Sequence, residues 1–186
     1  MNSKWIIFMS LYLLGAAANA QQAPADGQMD ANAANKEQAL KGGRISPKQR
    51  AELARAAAAD QNTQAGADFL AANKVKAGVT SLPSGVQYKI LKAGSGKRPG
   101  DTSSVLVRYQ GRLIDGSSFD KVDDKTPAPL RVAGLVPGLR EAVQLMPVGS
   151  QWEVVIPPQL GYGAAANRAV GPNAVLIYVI EIVGVK

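Results

Sequence analysis

The chain contains no cysteine and no histidine. The first absence excludes disulfides, thiolate nucleophiles and anchoring through a lipidated N-terminal cysteine. The second removes imidazole as a base, and the two together exclude nearly all transition-metal sites. No cofactor or metal is expected. Clustered positive charge is also missing. The formal net charge is +7, yet lysines and arginines are dispersed and only Lys97 and Arg98 are adjacent. That pattern reads as a solvated surface, so nucleic acid is not expected as a partner. At 186 residues the chain can hold one well-packed domain and an extension, but not two full enzymes.

The composition is uneven: alanine and glutamine dominate the first half, valine, glycine and proline the second. Lys4 precedes an apolar run over 5–15, followed by small residues ending Ala18-Asn19-Ala20. This reads as a secretory signal peptide over 1–20, cleaved after Ala20, since its apolar core is too short to span a bilayer. The address is the periplasm of a two-membrane bacterium, or the medium beyond it, with a soluble mature chain. Residues 21–45 lack branched and aromatic side chains almost entirely, so burial cannot offset ordering entropy and a disordered tether is expected. At Ser46-Pro47-Lys48-Gln49 a capping box with proline at the first helical position predicts a helix to about Asp60. A second helical piece is expected over 64–73, carrying Phe69 and Leu70. Together these form a helical extension over 46–75, too poor in large apolar residues to make a core alone.

From Ser81 the hydrophobic period becomes two. Val86, Tyr88 and Ile90 alternate, as do Val105, Val107 and Tyr109, so both segments are predicted strands. Asp115-Gly116 predicts a tight turn that returns the chain through Phe119. A short strand is expected over 130–132. Leu139, Ala142, Val143 and Met146 then share one helical face, stopped by Pro147 and Gly149. Trp152, Val154 and Ile156 alternate again, and 175–183 reads as a central strand buried on both faces. The fold class is α+β: an antiparallel β-sheet wrapped around one short helix, preceded by the short helical extension.

Several apparent motifs fail on context. Gly161-Tyr162-Gly163-Ala164 resembles a dinucleotide fingerprint, but prolines precede it and a loop follows. Gly94-Ser95-Gly96-Lys97 lacks the first glycine and the hydroxyl of a phosphate-binding loop. Asp120, Asp123 and Asp124 alternate with lysines, as in a solvated turn rather than a cation site. What remains is a set of aromatic and apolar residues at strand ends, turns and a helix start. Taken singly, each is most simply a core or turn residue.

Their order carries more. The run from Val107-Arg108-Tyr109 through Gly111, Asp115-Gly116 and Phe119-Asp120 resembles the signature of the FK506-binding prolyl isomerases (FKBP type). Val136-Pro137-Gly138-Leu139, Gly161-Tyr162-Gly163, Gly171-Pro172-Asn173 and Leu176-Ile177-Tyr178 continue it in sequence. The resemblance covers 82–186, taken as the isomerase domain. The stretch from Ala67-Asp68-Phe69-Leu70 to Asn73-Lys74, leading into Leu82-Pro83-Ser84-Gly85, is similar to the junction in exported members related to the macrophage infectivity potentiator.

The resemblance implies a peptidyl-prolyl cis-trans isomerase, or rotamase, that assists folding of exported proteins without a nucleophile or cofactor. It implies catalytic roles for Tyr109, Phe119, Asp120 and Tyr162, and substrate binding by Leu130, Val136, Leu139, Val170 and Tyr178. In the family pattern the Val136 amide and the Tyr162 hydroxyl bind substrate carbonyls, and Asp120 orients Tyr109 or faces the twisting amide. Implied partners are proline-containing unfolded or partly folded proteins, tacrolimus or rapamycin in the same pocket, and a second copy through the N-terminal helices. Two departures stand out: Leu139 replaces the usual tryptophan of the pocket floor, and Leu130 a common phenylalanine. The competing reading is a periplasmic chaperone or peptide-binding module with incidental isomerase activity; an envelope adhesion protein is a third.

Overall fold

A computed structural model describes residues 45–122, 125–165 and 169–186. The expected signal peptide, and the expected tether up to residue 44, lie outside the described residues, as do Asp123 and Asp124.

Helix α1 spans Pro47–Lys74, 28 residues. Its start follows the sequence: Ser46 Oγ accepts from the Gln49 amide at 3.2 Å, and Gln49 Oε1 accepts from the Ser46 amide at 3.0 Å. Two helical pieces were expected; one continuous helix is found. The polar residues between the two expected pieces, Asn62 and Thr63, are accommodated without interrupting it. The Thr63 hydroxyl donates to the Ala59 carbonyl one turn back at 2.7 Å, and the Asn62 amide donates outside the helix, to the Pro172 carbonyl at 2.8 Å.

The strands β1 (Val79–Ser81), β2 (Gln87–Lys92), β3 (Ser104–Arg112), β4 (Ser118–Lys121), β5 (Ala128–Arg131), β6 (Gln151–Ile156) and β7 (Leu176–Val185) form one 7-stranded sheet. Their order is β1-β2-β6-β7-β3-β4, with β5 also on β3, and every pairing is antiparallel. Helix α2, Pro137–Leu145, lies between β5 and β6 in the chain. The β3–β4 turn forms as Asp115-Gly116 requires: Gly116 has φ +85°, and Asp115 Oδ1 accepts from the Ser117 amide at 2.8 Å and its hydroxyl at 2.6 Å. Those bonds hold the exposed Asp115 carboxyl below its ordinary value. The Gly94-Ser95-Gly96 stretch is explained by close approach, since a Cβ on Gly94 would stand 2.5 Å from the Ser150 nitrogen.

Alternation along β7 divides two cores. Leu176, Tyr178, Ile180 and Ile182 face the side of α2, where they join Leu139, Ala142, Val143, Met146, Val105, Val107 and Val154. Ile177 points the other way and forms a second cluster with Val155 and Val175, covered by Phe69 and Leu70 of α1 and by Ile114. Helix α1 is therefore packed on the sheet's outer face. Gly66 is buried there, and a Cβ on it would lie 2.9 Å from Val175 Cγ2. Asn73 and Gln87, both buried, satisfy each other: Asn73 Nδ2 donates to Gln87 Oε1 and Gln87 Nε2 donates to the Leu70 carbonyl, each at 2.9 Å.

Candidate active site

The site grows from the pairing of β3 with β7. Tyr109 stands opposite Ile180 and Gly111 opposite Tyr178, so in a pleated pair these side chains share the inner face. Gly111 leaves a gap that its neighbours fill. A Cβ there would lie 2.7 Å from Phe119 Cζ and 3.1 Å from Tyr178 Cε1. The Phe119 ring consequently meets Tyr178 edge to face, with centroids 5.5 Å apart and planes at 88°. Tyr109 meets the Tyr178 ring at 5.8 Å and 61°. These are the offset geometries that aromatic quadrupoles favour.

One carboxylate marks the rim. The Tyr109 hydroxyl donates to Asp120 Oδ2 at 2.8 Å, and Asp120 itself is exposed on β4, one residue after Phe119. Loss of solvation on burial is the main cause holding the Tyr109 phenol well above its ordinary value, and the Asp120 contact adds to it. Tyr178, more deeply buried, is raised for the same first reason, with Tyr162 next in weight. Both phenols thus remain protonated donors across the physiological range.

The other walls come from three elements. Leu130 is half-buried on β5, opposite Val105. Val136 caps α2: its carbonyl accepts from the Arg140 amide at 3.0 Å, while its own N–H precedes the helix and lies outside the helical ladder. Pro137 at the first helical position fixes that start. Leu139 follows, 4% exposed. Tyr162 sits between single turns of 3-10 helix at Pro158–Leu160 and Gly163–Ala165, and Val170 is buried further along the same loop. Tyr109, Phe119, Leu130, Val136, Leu139, Tyr162, Val170 and Tyr178 all belong to one apolar cluster, with Asp120 joined to it through Tyr109. Gly111, around which the aromatic rings meet, was not among the expected site residues. It directly follows the alternation over 105–110, and the structure carries β3 through it to Arg112, where a glycine marks close approach.

A family model described as FKBP-type peptidyl-prolyl cis-trans isomerase matches residues 95–183, and one described as the domain amino terminal to it matches 11–90. An outer membrane protein MIP of Legionella longbeachae is 47% identical over 130 residues, covering 69% of this chain and 56% of the relative. An FKBP-type peptidyl-prolyl cis-trans isomerase FkpA of Aeromonas hydrophila is 41% identical over 127 residues, covering 68% and 47%. The chain spans about half the length of these curated relatives. Among solved structures, a peptidyl-prolyl cis-trans isomerase of Pseudomonas syringae superposes with a TM-score of 0.64 at 35% identity, covering 68% of this chain and 95% of that one. FkpA of Escherichia coli gives 0.70 at 26% identity, covering 86% and 82%.

Proposed function

Since the chain belongs to the FKBP-type peptidyl-prolyl cis-trans isomerase family, we propose that it catalyses cis-trans isomerisation of Xaa-Pro bonds in exported proteins and so assists their folding. The uncatalysed step crosses a barrier of about 18–20 kcal/mol and takes tens of seconds or more. No bond to a substituent breaks, so shape and dipoles suffice. An apolar cup disfavours the charge-separated resonance form that stiffens the amide and favours the twisted geometry over either planar one.

The observation that carries this reading is the cluster of aromatic rings packed around Gly111, with the Asp120 carboxylate bonded to one of its phenols. In it, the proline ring enters among Tyr109, Phe119 and Tyr178 over Leu139, with Leu130 and Val170 as walls. The Val136 amide and the Tyr162 hydroxyl take substrate carbonyls. Asp120 orients Tyr109, and its 2.8 Å contact supports that role over a direct one on the amide. Tacrolimus or rapamycin occupies the same cup. The segments retain the proposed boundaries: a cleaved signal over 1–20, a tether to 45, a helical extension over 46–75 and the isomerase domain over 82–186. Export is supported by the signal-like start and by a relative named an outer membrane protein. Dimerisation through the extension is supported by the match of the amino-terminal family domain to 11–90.

The test uses two refolding clients, one limited by a proline and one not. An isomerase accelerates only the first; acceleration or improved yield of both alike, with no effect on a proline tetrapeptide, would instead indicate a chaperone.

A further inference from the structure

Tyr162 and Val170 lie on a loop, 157–175, that has no strand among its described residues and only the two single turns of 3-10 helix. Within the loop, the Asn173 amide donates to the Gly163 carbonyl at 2.8 Å and pins its two legs together. Both legs are also tied to α1. Arg55 Nη2 donates to the Ala164 and Ala165 carbonyls at 3.1 and 2.9 Å, just beyond Tyr162. On the second leg, just beyond Val170, Asn62 Nδ2 donates to the Pro172 carbonyl at 2.8 Å, and Asn173 Nδ2 donates to Thr63 Oγ1 at 3.1 Å. Arg55 and Asn62 are about two helical turns apart, so they share a helix face and reach the two legs about 10 Å apart along the axis.

At its base the loop is packed through Val175 on Gly66, Phe69 and Leu70 of α1, and Val170 is buried in the main core. Farther out, an open cleft of about 460 Å³ bordered by Ala67, Leu70, Pro157, Pro158 and Ala164 separates helix and loop, and there the bonds from Arg55 and Asn62 bridge the two. The helix itself is seated on the sheet through Gly66, Phe69, Leu70 and the Asn73–Gln87 pair. A continuous path of contacts thus runs from sheet to helix to loop, ending two residues from Tyr162.

We propose that Arg55 and Asn62 are positioning residues for the isomerase pocket, holding the loop so that Tyr162 faces the substrate. The proposal rests on Tyr162 lining the pocket as argued above. It makes the helical extension a part of the active site's support as well as a segment preceding it. If untying the loop lets it populate arrangements that do not bind substrate, the apparent dissociation constant rises by the inverse of the competent fraction, while bound substrate turns over as before. A neutral hydrogen bond shifts such an equilibrium by about fivefold and one from a charged donor by more; because the Arg55 bonds are exposed and water replaces them, loss of all three bonds together shifts it by about fivefold.

The experiment compares the full chain with Arg55→Ala, Asn62→Leu and their double variant, using an Xaa-Pro tetrapeptide well below each melting temperature. The double variant is expected to raise KM about fivefold with kcat within about twofold. Partial unfolding alone would lower apparent kcat and leave KM in place. Arg55→Lys, which keeps a donor, should recover part of the affinity, and Asp68→Ala, which removes only the acceptor of Gln64 on α1, should leave both constants unchanged. The Tyr162 amide and ring resonances should shift in the double variant. A folded double variant with parental KM, or with Tyr162 signals unmoved, overturns the proposal. Absence of isomerase activity in the parent overturns the functional reading instead, and the Tyr162 signals then decide the positioning on their own.

Discussion

Replacing Gly111 by alanine is the smallest change that attacks the site without touching a polar group. The added Cβ would stand 2.7 Å from Phe119 Cζ, 3.0 Å from Phe119 Cε2 and 3.1 Å from Tyr178 Cε1. Optimal carbon contacts begin at ~3.5 Å, so the Phe119 ring must retreat by about 0.8 Å or rotate. Tyr178 is held in the core of β7 at 4% exposure, whereas Phe119 lies on the short strand β4 and is only half-buried. Phe119 and β4 are therefore the parts that give way, carrying Asp120 with them. Overpacking costs ~1–3 kcal/mol and loss of the edge-to-face pair ~0.5–1.5 kcal/mol, so the domain should lose about 2–3 kcal/mol. If half of that loss falls on the twisted-amide complex, catalytic efficiency drops about tenfold. Denaturant melts give the first number and a protease-coupled or exchange assay on a proline tetrapeptide the second. A Gly111→Ala chain with parental stability and parental activity would refute the packing argument.

Leu139→Trp restores the ring that the family places on the pocket floor; about 50 Å² of added contact acting on the twisted state should raise efficiency about tenfold. Because Leu139 is already buried, a stability loss of ~1–3 kcal/mol should accompany the gain, and a variant folded to parental stability with no gain contradicts the floor assignment. A fragment beginning at Leu82 lacks Phe69 and Leu70 and uncovers Val155, Val175 and Ile177; it should be less stable than one beginning at Ser46 by about 3 kcal/mol, whereas equal melting would show that α1 does not cover that face. Tyr109 and Tyr178 have folded values raised above the unfolded one of about 10, so their contribution is complete below pH ~10 and is lost as pH climbs toward the folded values. In an alkaline titration followed by phenolate absorbance and circular dichroism, ionisation of these two should coincide with unfolding above pH ~10; their ionisation in an intact fold would show that burial does not hold them.

Much of the fold could be read from periodicity and turn chemistry. Alternation in Val105-Val107-Tyr109 and Trp152-Val154-Ile156, the Asp115-Gly116 turn and the apolar face of Leu139, Ala142, Val143 and Met146 each reappear as β3, β6, the β3–β4 hairpin and α2. The position of α1 could not be read that way. Most of its side chains are small or polar, so no apolar stripe announces a docking face, and its seat depends on a missing side chain at Gly66, two large residues and the buried amides of Asn73 and Gln87. Such contacts leave no period in a sequence. The candidate pocket residues were likewise legible only through their order along the chain, because Tyr109, Phe119, Leu130 and Tyr162 look individually like core or turn residues. Their convergence depends on strand register, which pairs Gly111 with Tyr178 and Asp120.

The central claim is that the cup around Gly111 turns proline amides. Magnetisation exchange between the cis and trans signals of an Ala-Xaa-Pro-Phe tetrapeptide, recorded with catalytic amounts of the full chain, measures it without any coupled enzyme. The expected result is exchange accelerated far above the uncatalysed rate, suppressed by rapamycin and reduced at least tenfold in Phe119→Ala. Exchange at the uncatalysed rate with the folded parent chain, or acceleration that Phe119→Ala leaves unchanged, would contradict the account.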